Sequence, residues 1–401
     1  MERDHALLNK IQGSLIGGAA GDALGYTIEF WDEDEIFSRF GESGIQGYVL
    51  DGRTKKALIS DDTQMVLFTA NGMLLYDTRI SSGIATKPRF YVRDAYLDWL
   101  KTQTLSIDQV SKLFHGYTGR SDSVVSWLCD VPELYDRRAP GNTCLSALEY
   151  LKGLDPEEQH IDDFIRAHLN DSKGCGGIMR IAPVGLLLDP GSIQDLDYEA
   201  AQIAAITHGH SIGYMSSAVL AHIVHECAYD RSGKHLSDIV TEARDQVVSI
   251  FKDDKHINEL KDIIDRAIDL SSNDKTEIEN IHMLGEGWVA EETLAIAVYC
   301  ALRYSNDFSG GIVAAVNHKG DSDSTGAVTG NILGAYLGSD AIDDKWKKDL
   351  ELYDVILEIA SDLYTRCQFS SWGHDADPFG SKTYSDNPEW TRKYVDMRWK
   401  E

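Results

Sequence analysis

Residues 318–326, His-Lys-Gly-Asp-Ser-Asp-Ser-Thr-Gly, place two carboxylates and three hydroxyls on a glycine-bounded turn. A second acidic knot, Ser60-Asp61-Asp62-Thr63, lies far upstream, just before an apolar helical run. Helix capping is the plain reading of either knot, because Asp and Ser oxygens accept the free N–H groups of a first turn and negative charge suits the dipole. One cap, however, uses one oxygen. Asp61-Asp62 and Asp321-x-Asp323 each crowd like charges that repel unless a cation sits between them. Two such knots match the needs of a pair of hard divalent cations, since Mg²⁺ and Mn²⁺ prefer carboxylate, hydroxyl and water oxygens. The chemistry implied is that of a binuclear metal hydrolase.

Other stretches carry residues suited to a ligand. Asn170-Asp171-Ser172-Lys173-Gly174-Cys175-Gly176-Gly177-Ile178-Met179-Arg180 has three glycines in four positions, which lets backbone N–H groups turn toward an anion. It is not a P-loop, as no Gly-Lys-Ser/Thr closes it, and a plain glycine-rich connection is the alternative. Trp288, between Gly285-x-Gly287 and a helix start, suits stacking on a base or sugar as well as packing. Glu29 lies among aromatic and aliphatic neighbours, where burial disfavours its charged form unless a cation or donor is near. His208, His210, His222 and His225 read as packed or capping residues rather than zinc ligands. Asp321-Ser322-Asp323-Ser324-Thr325 also fits the D-x-D-x-T of a phosphatase, but that motif should end a hydrophobic strand, and here it precedes a helix.

The elements that must position these groups are helical. Gly13, Gly17, Gly21 and Gly25 recur every four residues through Leu7 to Tyr26, and Gly326, Gly330, Gly334 and Gly338 repeat the period after the Asp321 turn. Each interior glycine costs a helix about 1 kcal/mol relative to alanine, so close backbone approach is the expected compensation. Both segments are expected in the core beside the metal site and against each other, with glycine-broken turns as the alternative. Ser60 caps the helix that follows it, and residues 89 to 115 and 349 to 364 read as further helices. No strand alternation and no linker divides the chain. The fold class is all-α: a compact single-domain multi-helix bundle over residues 1–366, with an aromatic-rich C-terminal tail, 367–401, packed on the body through Trp372, Phe379, Tyr384, Trp390, Tyr394 and Trp399.

A formal charge of −27 over 401 residues argues against nucleic acid or an anionic membrane as partner. An anionic ligand would be held by helix N-termini and glycine loops instead. The six cysteines are spread singly, so neither zinc nor a disulfide framework is indicated, and a cytoplasmic location fits. The apolar stretch Leu15 to Leu24 contains Asp22 and reads as neither leader nor anchor.

In this order the motifs resemble the ADP-ribosylglycohydrolase family over about residues 8 to 365. The marks are Gly21-Asp22-Ala23-Leu24-Gly25 with Glu29-Phe30, Ser60-Asp61-Asp62-Thr63, Gly141-Asn142-Thr143, Gly174-Cys175-Gly176-Gly177-Ile178-Met179-Arg180-x-Ala182-Pro183, Thr207-His208, Gly287-Trp288 and Gly320 to Gly326. The resemblance implies a compact all-α fold with two Mg²⁺ or Mn²⁺ ions, held by Ser60, Asp61, Asp62, Asp321, Asp323 and Ser324. It implies that Gly141, Asn142 and Thr143, with Ser172, Lys173, Gly174, Cys175, Gly176 and Gly177, hold pyrophosphate and ribose. His208 and Trp288 would line the ADP-ribose cleft. The reaction expected is hydrolysis of ADP-ribosyl-arginine on a modified protein, with Asp62 or Glu29 handling the proton. The alternatives are another ADP-ribose linkage, or an ADP-ribose-binding inhibitor or immunity protein that blocks a cognate ADP-ribosyltransferase. His374-Asp375, in the tail, is a weaker hint of a metal phosphohydrolase.

Overall fold

Two helices singled out by glycine spacing form the spine of the molecule. In the computed structural model, which describes residues 5–84, 86–117, 123–155, 158, 161–187, 192–368 and 387–399, α1 spans His5–Gly25 and a helix near the other end of the chain spans Ser322–Leu337. Neither is broken by its glycines. They run antiparallel with their backbones in contact, Gly13 on Gly334, Gly17 on Gly330, Gly21 on Gly326 and Gly25 on Ser322. A Cβ placed at any of these glycines would overlap the partner's carbonyl. The seam is locked by Asn331, whose Nδ2 donates to the Ser14 carbonyl at 2.8 Å while Ser14 Oγ donates to the Asn331 carbonyl at 3.1 Å. Gly338 ends the Ser322–Leu337 helix at φ 89°, a positive φ that favours glycine.

The remaining helices build outward from this pair. The second helix, α2, covers Glu33–Phe40, and α3 runs from Asp61 to Ser81 with Ser60 as its N-cap. Next, α4 spans Pro88–Thr104 and lies on α3, with Gly72 against the backbone of Tyr91 and Val92 and Thr69 Oγ1 2.7 Å from the Tyr96 hydroxyl. The helix expected to reach residue 115 stops at Thr104, because Ser106 and Gln109 form a capping box that starts a new short turn. The Ser211–Tyr229 helix passes through the middle of the molecule, buried from Ile212 to Val224. Among the described residues the only strands are Phe114–His115 and Ser123–Val124, a two-residue parallel pair, so the fold is all-α as expected.

Part of the C-terminal segment is described. Its helix Pro388–Tyr394 lies on the body, with Lys393 buried beside Asp362 at 2.5 Å and Glu358 at 3.1 Å. Tyr394 donates to Asp362 at 2.6 Å, Trp390 Nε1 to Thr78 Oγ1 at 3.0 Å, and Trp399 Nε1 to Glu358 at 3.1 Å. Trp372, Phe379, Tyr384, His374 and Asp375 lie outside the described residues.

The seam makes a sharp prediction. Gly330→Ala should destabilise the protein by about 2 kcal/mol or more despite alanine's better helix propensity, because the added methyl forces the two backbones apart. Gly153→Ala, at the end of the Asn142–Gly153 helix with nothing within 4 Å of the added carbon, serves as the control and should be neutral or slightly stabilising. Urea unfolding of both variants checks this, and equal midpoints would refute it.

Candidate metal centre and ligand cleft

The last turn of α1 carries Asp22, which is fully buried. Its carboxylate accepts from Ser60 N at 2.9 Å, from Thr63 N at 3.1 Å and from the Thr63 hydroxyl. One side chain therefore docks the free N–H groups of α3 onto the end of α1. Burial, reinforced by the charge of Asp323, still pushes its pKa up to about 7. Asp22 was visible in the sequence only as part of a motif. The signal that marks it is a carboxylate inside an otherwise apolar, glycine-rich helix.

The seam brings the two acidic knots together, since Gly25 of α1 rests on Ser322 and Asp323. Asp321 precedes the Ser322–Leu337 helix without making a side-chain capping hydrogen bond, and its N–H donates to the Glu286 carbonyl at 2.8 Å. Gly320 precedes it at φ 132°, where a side chain would strike the Glu286 backbone. Ser60 Oγ accepts from Asp62 N at 3.1 Å, and Asp61 and Asp62 of one knot line the same cleft as Asp321 and Asp323 of the other. Asp61 accepts from Gly141 N at 3.1 Å. Glu29, in the turn after α1, completes the cluster: one carboxylate oxygen each from Glu29, Asp321 and Asp323 lie within 4.8 Å of one another.

These carboxylates are buried without a counter-charge. Burial first, and neighbouring carboxylates second, raise Glu29 to about 10 and push Asp62 and Asp321 well above the usual range. Asp61 and Asp323 are raised too, chiefly by burial. Glu29 Oε2, Asp62 Oδ2 and Asp321 Oδ2 have no hydrogen-bond partner. No Lys or Arg is among the residues lining the cleft they face. Orphaned, inward-facing carboxylate oxygens with adjacent hydroxyls fit hard divalent cations, which supply the missing charge and accept oxygen ligands.

The cleft holds about 340 Å³ and is lined by Glu29, Asp61, Asp62, Asp321, Asp323 and Ser324 on the acidic side, and by Gly141, Asn142, Thr143, Gly174, Cys175, Gly176, His208 and Trp288 on the other. Gly141 stands at the N-terminus of the Asn142–Gly153 helix with no side-chain cap, leaving N–H groups free for an anion. The glycine loop is held open by Cys175 N donating to the Trp288 carbonyl at 3.2 Å and Ala290 N to the Lys173 carbonyl at 2.9 Å. Trp288 stacks on Phe30 at the mouth, ring centroids 6.0 Å apart, and both rings are exposed.

Three residues assigned to the ligand from sequence do not line the cleft. The Lys173 ammonium pairs with the buried Glu291 carboxylate, which draws it away from the anion site. Ser172 Oγ lies 3.3 Å from Thr143 Oγ1 and ties the two loops together, and Gly177 packs behind the loop on Ala204 and Ser217. Conversely, Phe30, Ala139, Pro140, Cys144 and Met179 line the cleft without having been assigned a contact with the ligand. Their apolar or small side chains carry no chemical signal in a sequence.

The all-helical fold and the paired acidic knots define a class, and comparison places the chain in it. The sequence profile of the ADP-ribosylglycohydrolase family matches residues 3–372, so the protein belongs to that family. It is 26% identical over 242 residues to the ADP-ribosylhydrolase ARH3 of Homo sapiens, covering 54% of this chain and 64% of the human one. It is 22% identical over 343 residues to ADP-ribosyl-(dinitrogen reductase) glycohydrolase of Rhodospirillum rubrum, covering 85% and 90%. The chain thus matches somewhat less than two thirds of the length of the human relative. A solved "ADP-ribosylglycohydrolase-related protein complex" shares the fold, with a TM-score of 0.60 and 24% identity over 90% of this chain and 98% of that one. Among the described residues no helix is long and apolar enough to cross a membrane.

The cluster predicts how stability depends on pH and metal. The folded pKa of Asp62 lies above its unfolded value near 3.8, so its protonated form contributes stability at low pH that is lost as pH rises. Asn does not titrate. In chelator, Asp62→Asn should therefore match wild type near pH 4 and melt higher than wild type at pH 8. Added Mg²⁺ should raise the melting temperature of wild type more than that of the variant. Thermal melts at both pH values decide it: a variant no more stable than wild type at pH 8 in chelator refutes the account.

Proposed function

We propose that the protein is a metal-dependent hydrolase that removes ADP-ribose from ADP-ribosylated arginine side chains, using two Mg²⁺ or Mn²⁺ ions. The observation that carries this reading is the set of orphaned carboxylate oxygens of Glu29, Asp62 and Asp321 facing one cleft with a glycine-rich anion cradle. Ser60, Asp61, Asp62, Asp321, Asp323 and Ser324 would hold the ions, with Glu29 within reach of the same cluster. When bound, such ions grip sugar hydroxyls and make a bound water more acidic.

The chain's own residues do the rest. The N–H groups at Asn142 and Gly176 bind the pyrophosphate, and Trp288 with Phe30 closes over the nucleotide sugar at the mouth. Water attacks ribose C1″, the bond from C1″ to the guanidinium nitrogen breaks, and that nitrogen takes a proton. Glu29 and Asp62, each with an unpartnered oxygen in the cleft, are the groups that accept the water's proton and return it to the leaving nitrogen. Asp32, Glu33 and Asp34 line a groove with His282 and the Lys319–Glu286 ion pair, and its net negative charge favours the approach of a cationic arginine over a neutral side chain.

Incubation with arginine-linked and serine-linked ADP-ribosyl peptides, with Mg²⁺ or with chelator, tests the proposal. Free ADP-ribose should appear from the arginine peptide with Mg²⁺, stop in chelator, and fall by roughly a hundredfold or more in Asp321→Asn. Release from the serine peptide alone would overturn the linkage. ADP-ribose binding without release from either peptide would leave a binding protein in place of an enzyme.

A further inference from the structure

Behind the anion side of the cleft, the polar wiring ends on a buried cation. Arg180 is fully buried, with its guanidinium carbon 4.3 Å from the Tyr96 ring centroid. Its Nη2 donates to Thr207 Oγ1 at 2.6 Å, and its Nη1 points at sulfur, Cys144 Sγ at 3.4 Å and Met65 Sδ at 3.5 Å. Nε has no hydrogen-bond partner. Among the described residues no carboxylate pairs with it. A buried guanidinium without a counter-ion is unfavourable, so a task in its place is worth seeking.

The task runs through Thr207. Its hydroxyl accepts from Arg180 and lies 2.8 Å from Nδ1 of His208. If Nδ1 carried the proton, two N–H groups, one cationic, would converge on one oxygen, and the hydroxyl proton would be left to the weak sulfur acceptor of Cys144. With Nδ1 bare, Arg180 donates to Thr207, Thr207 donates to His208, and the ring's lone pair faces the guanidinium charge. Burial, together with that charge, pushes the His208 pKa down to about 3, so the ring is neutral, and in this arrangement its single proton would sit on Nε2. That nitrogen is on the cleft side: a Cβ at Gly174 would lie 3.3 Å from it, and one at Gly176 would lie 2.7 Å from the adjoining Cε1. Bare glycine backbone at both positions leaves the Nε2 edge open to a ligand.

We propose that Arg180 and Thr207 are positioning residues that hold His208 in the tautomer donating from Nε2 into the cleft, making it a neutral hydrogen-bond donor to an oxygen of a bound diphosphate ester. The identity of that ester as ADP-ribose rests on the function proposed above; the tautomer does not. Such a donor keeps its proton and its orientation at every pH well above 3, so it recognises the ligand without a pH-dependent charge.

Two measurements on the full chain test this. In ¹⁵N spectra of histidine-labelled protein, with His208 assigned by its loss in His208→Gln, the wild type should show Nε2 protonated and Nδ1 bare. Thr207→Val, which keeps shape but removes the hydroxyl, should shift His208 toward the other tautomer or a mixture, and Arg180→Met should move it the same way. Thr207→Val should also weaken ADP-ribose binding roughly tenfold. In the His208→Gln background, where the amide donates without help from Thr207, the same change should have less than about a twofold effect, as expected when the two residues act as one unit. An Nδ1-protonated wild type, or an equal loss in both backgrounds, overturns the proposal. Failure of ADP-ribose to bind folded wild type would instead count against the proposed function and remove the ligand from this inference, with the tautomer still decided by the spectra.

Discussion

Everything at the candidate site depends on two helix backbones touching. Side chains ordinarily keep helix axes 8–10 Å apart, and a metal site tolerates ligand displacements of only about 0.2 Å. By removing side chains from the seam between α1 and the Ser322–Leu337 helix, the sequence sets Gly25 directly on Ser322 and Asp323. The same turn of α1 supplies Asp22, which grips the N-terminus of α3 at Ser60 and Thr63. One helix end thus fixes the height of both acidic knots, one by backbone contact and the other by a buried carboxylate. The propensity lost at six interior glycines, about 1 kcal/mol each, is offset by dispersion and C–H···O contacts that only bare backbones allow.

The electrostatics divide the cleft into two sides. One wall is crowded with carboxylates whose repulsion the protein leaves unrelieved, so a cation bound there would add to stability. In the function proposed, the opposite wall holds an anion while the molecule carries a net charge of −27. It has no lysine or arginine for the purpose, since Lys173 is bound by Glu291 and Arg180 is sealed beneath the floor. Neutral donors remain: the N–H groups of a helix start, a glycine loop and an imidazole. Neutral donors on one wall avoid an ammonium that would otherwise collapse onto the carboxylates of the other.

What the sequence disclosed, and what it hid, follows from these contacts. Asp61-Asp62 and Asp321-x-Asp323 were legible because adjacent like charges have few structural uses, and the glycine ladders because a four-residue period in a helix names the face that must be bare. All-α architecture followed from periodicity. Asp22 was obscured because its function is to bind the N–H groups of a helix nearly forty residues away, which no local pattern encodes. Lys173 looked like an anion ligand because its partner, Glu291, is more than a hundred residues distant. A helix end was misplaced where a local cap overrode the apolar pattern, at Thr104.

The same logic reaches the far end of α3. At its N-terminus the helix is held by Asp22; at its C-terminal turns, Asp77 accepts from Arg366 at 2.7 Å and from Cys367 N at 2.7 Å, while Thr78 accepts from Trp390. Trp390 belongs to the helix that Lys393 and Tyr394 anchor on Asp362. A helix pinned at both ends by buried polar contacts has little freedom to slide along its axis, and sliding is the motion that would carry Asp61 and Asp62 away from Asp321 and Asp323. The C-terminal segment therefore bears on the acidic cluster without touching it: α3 transmits the constraint, and the close match between the two knots is maintained from both ends of the chain.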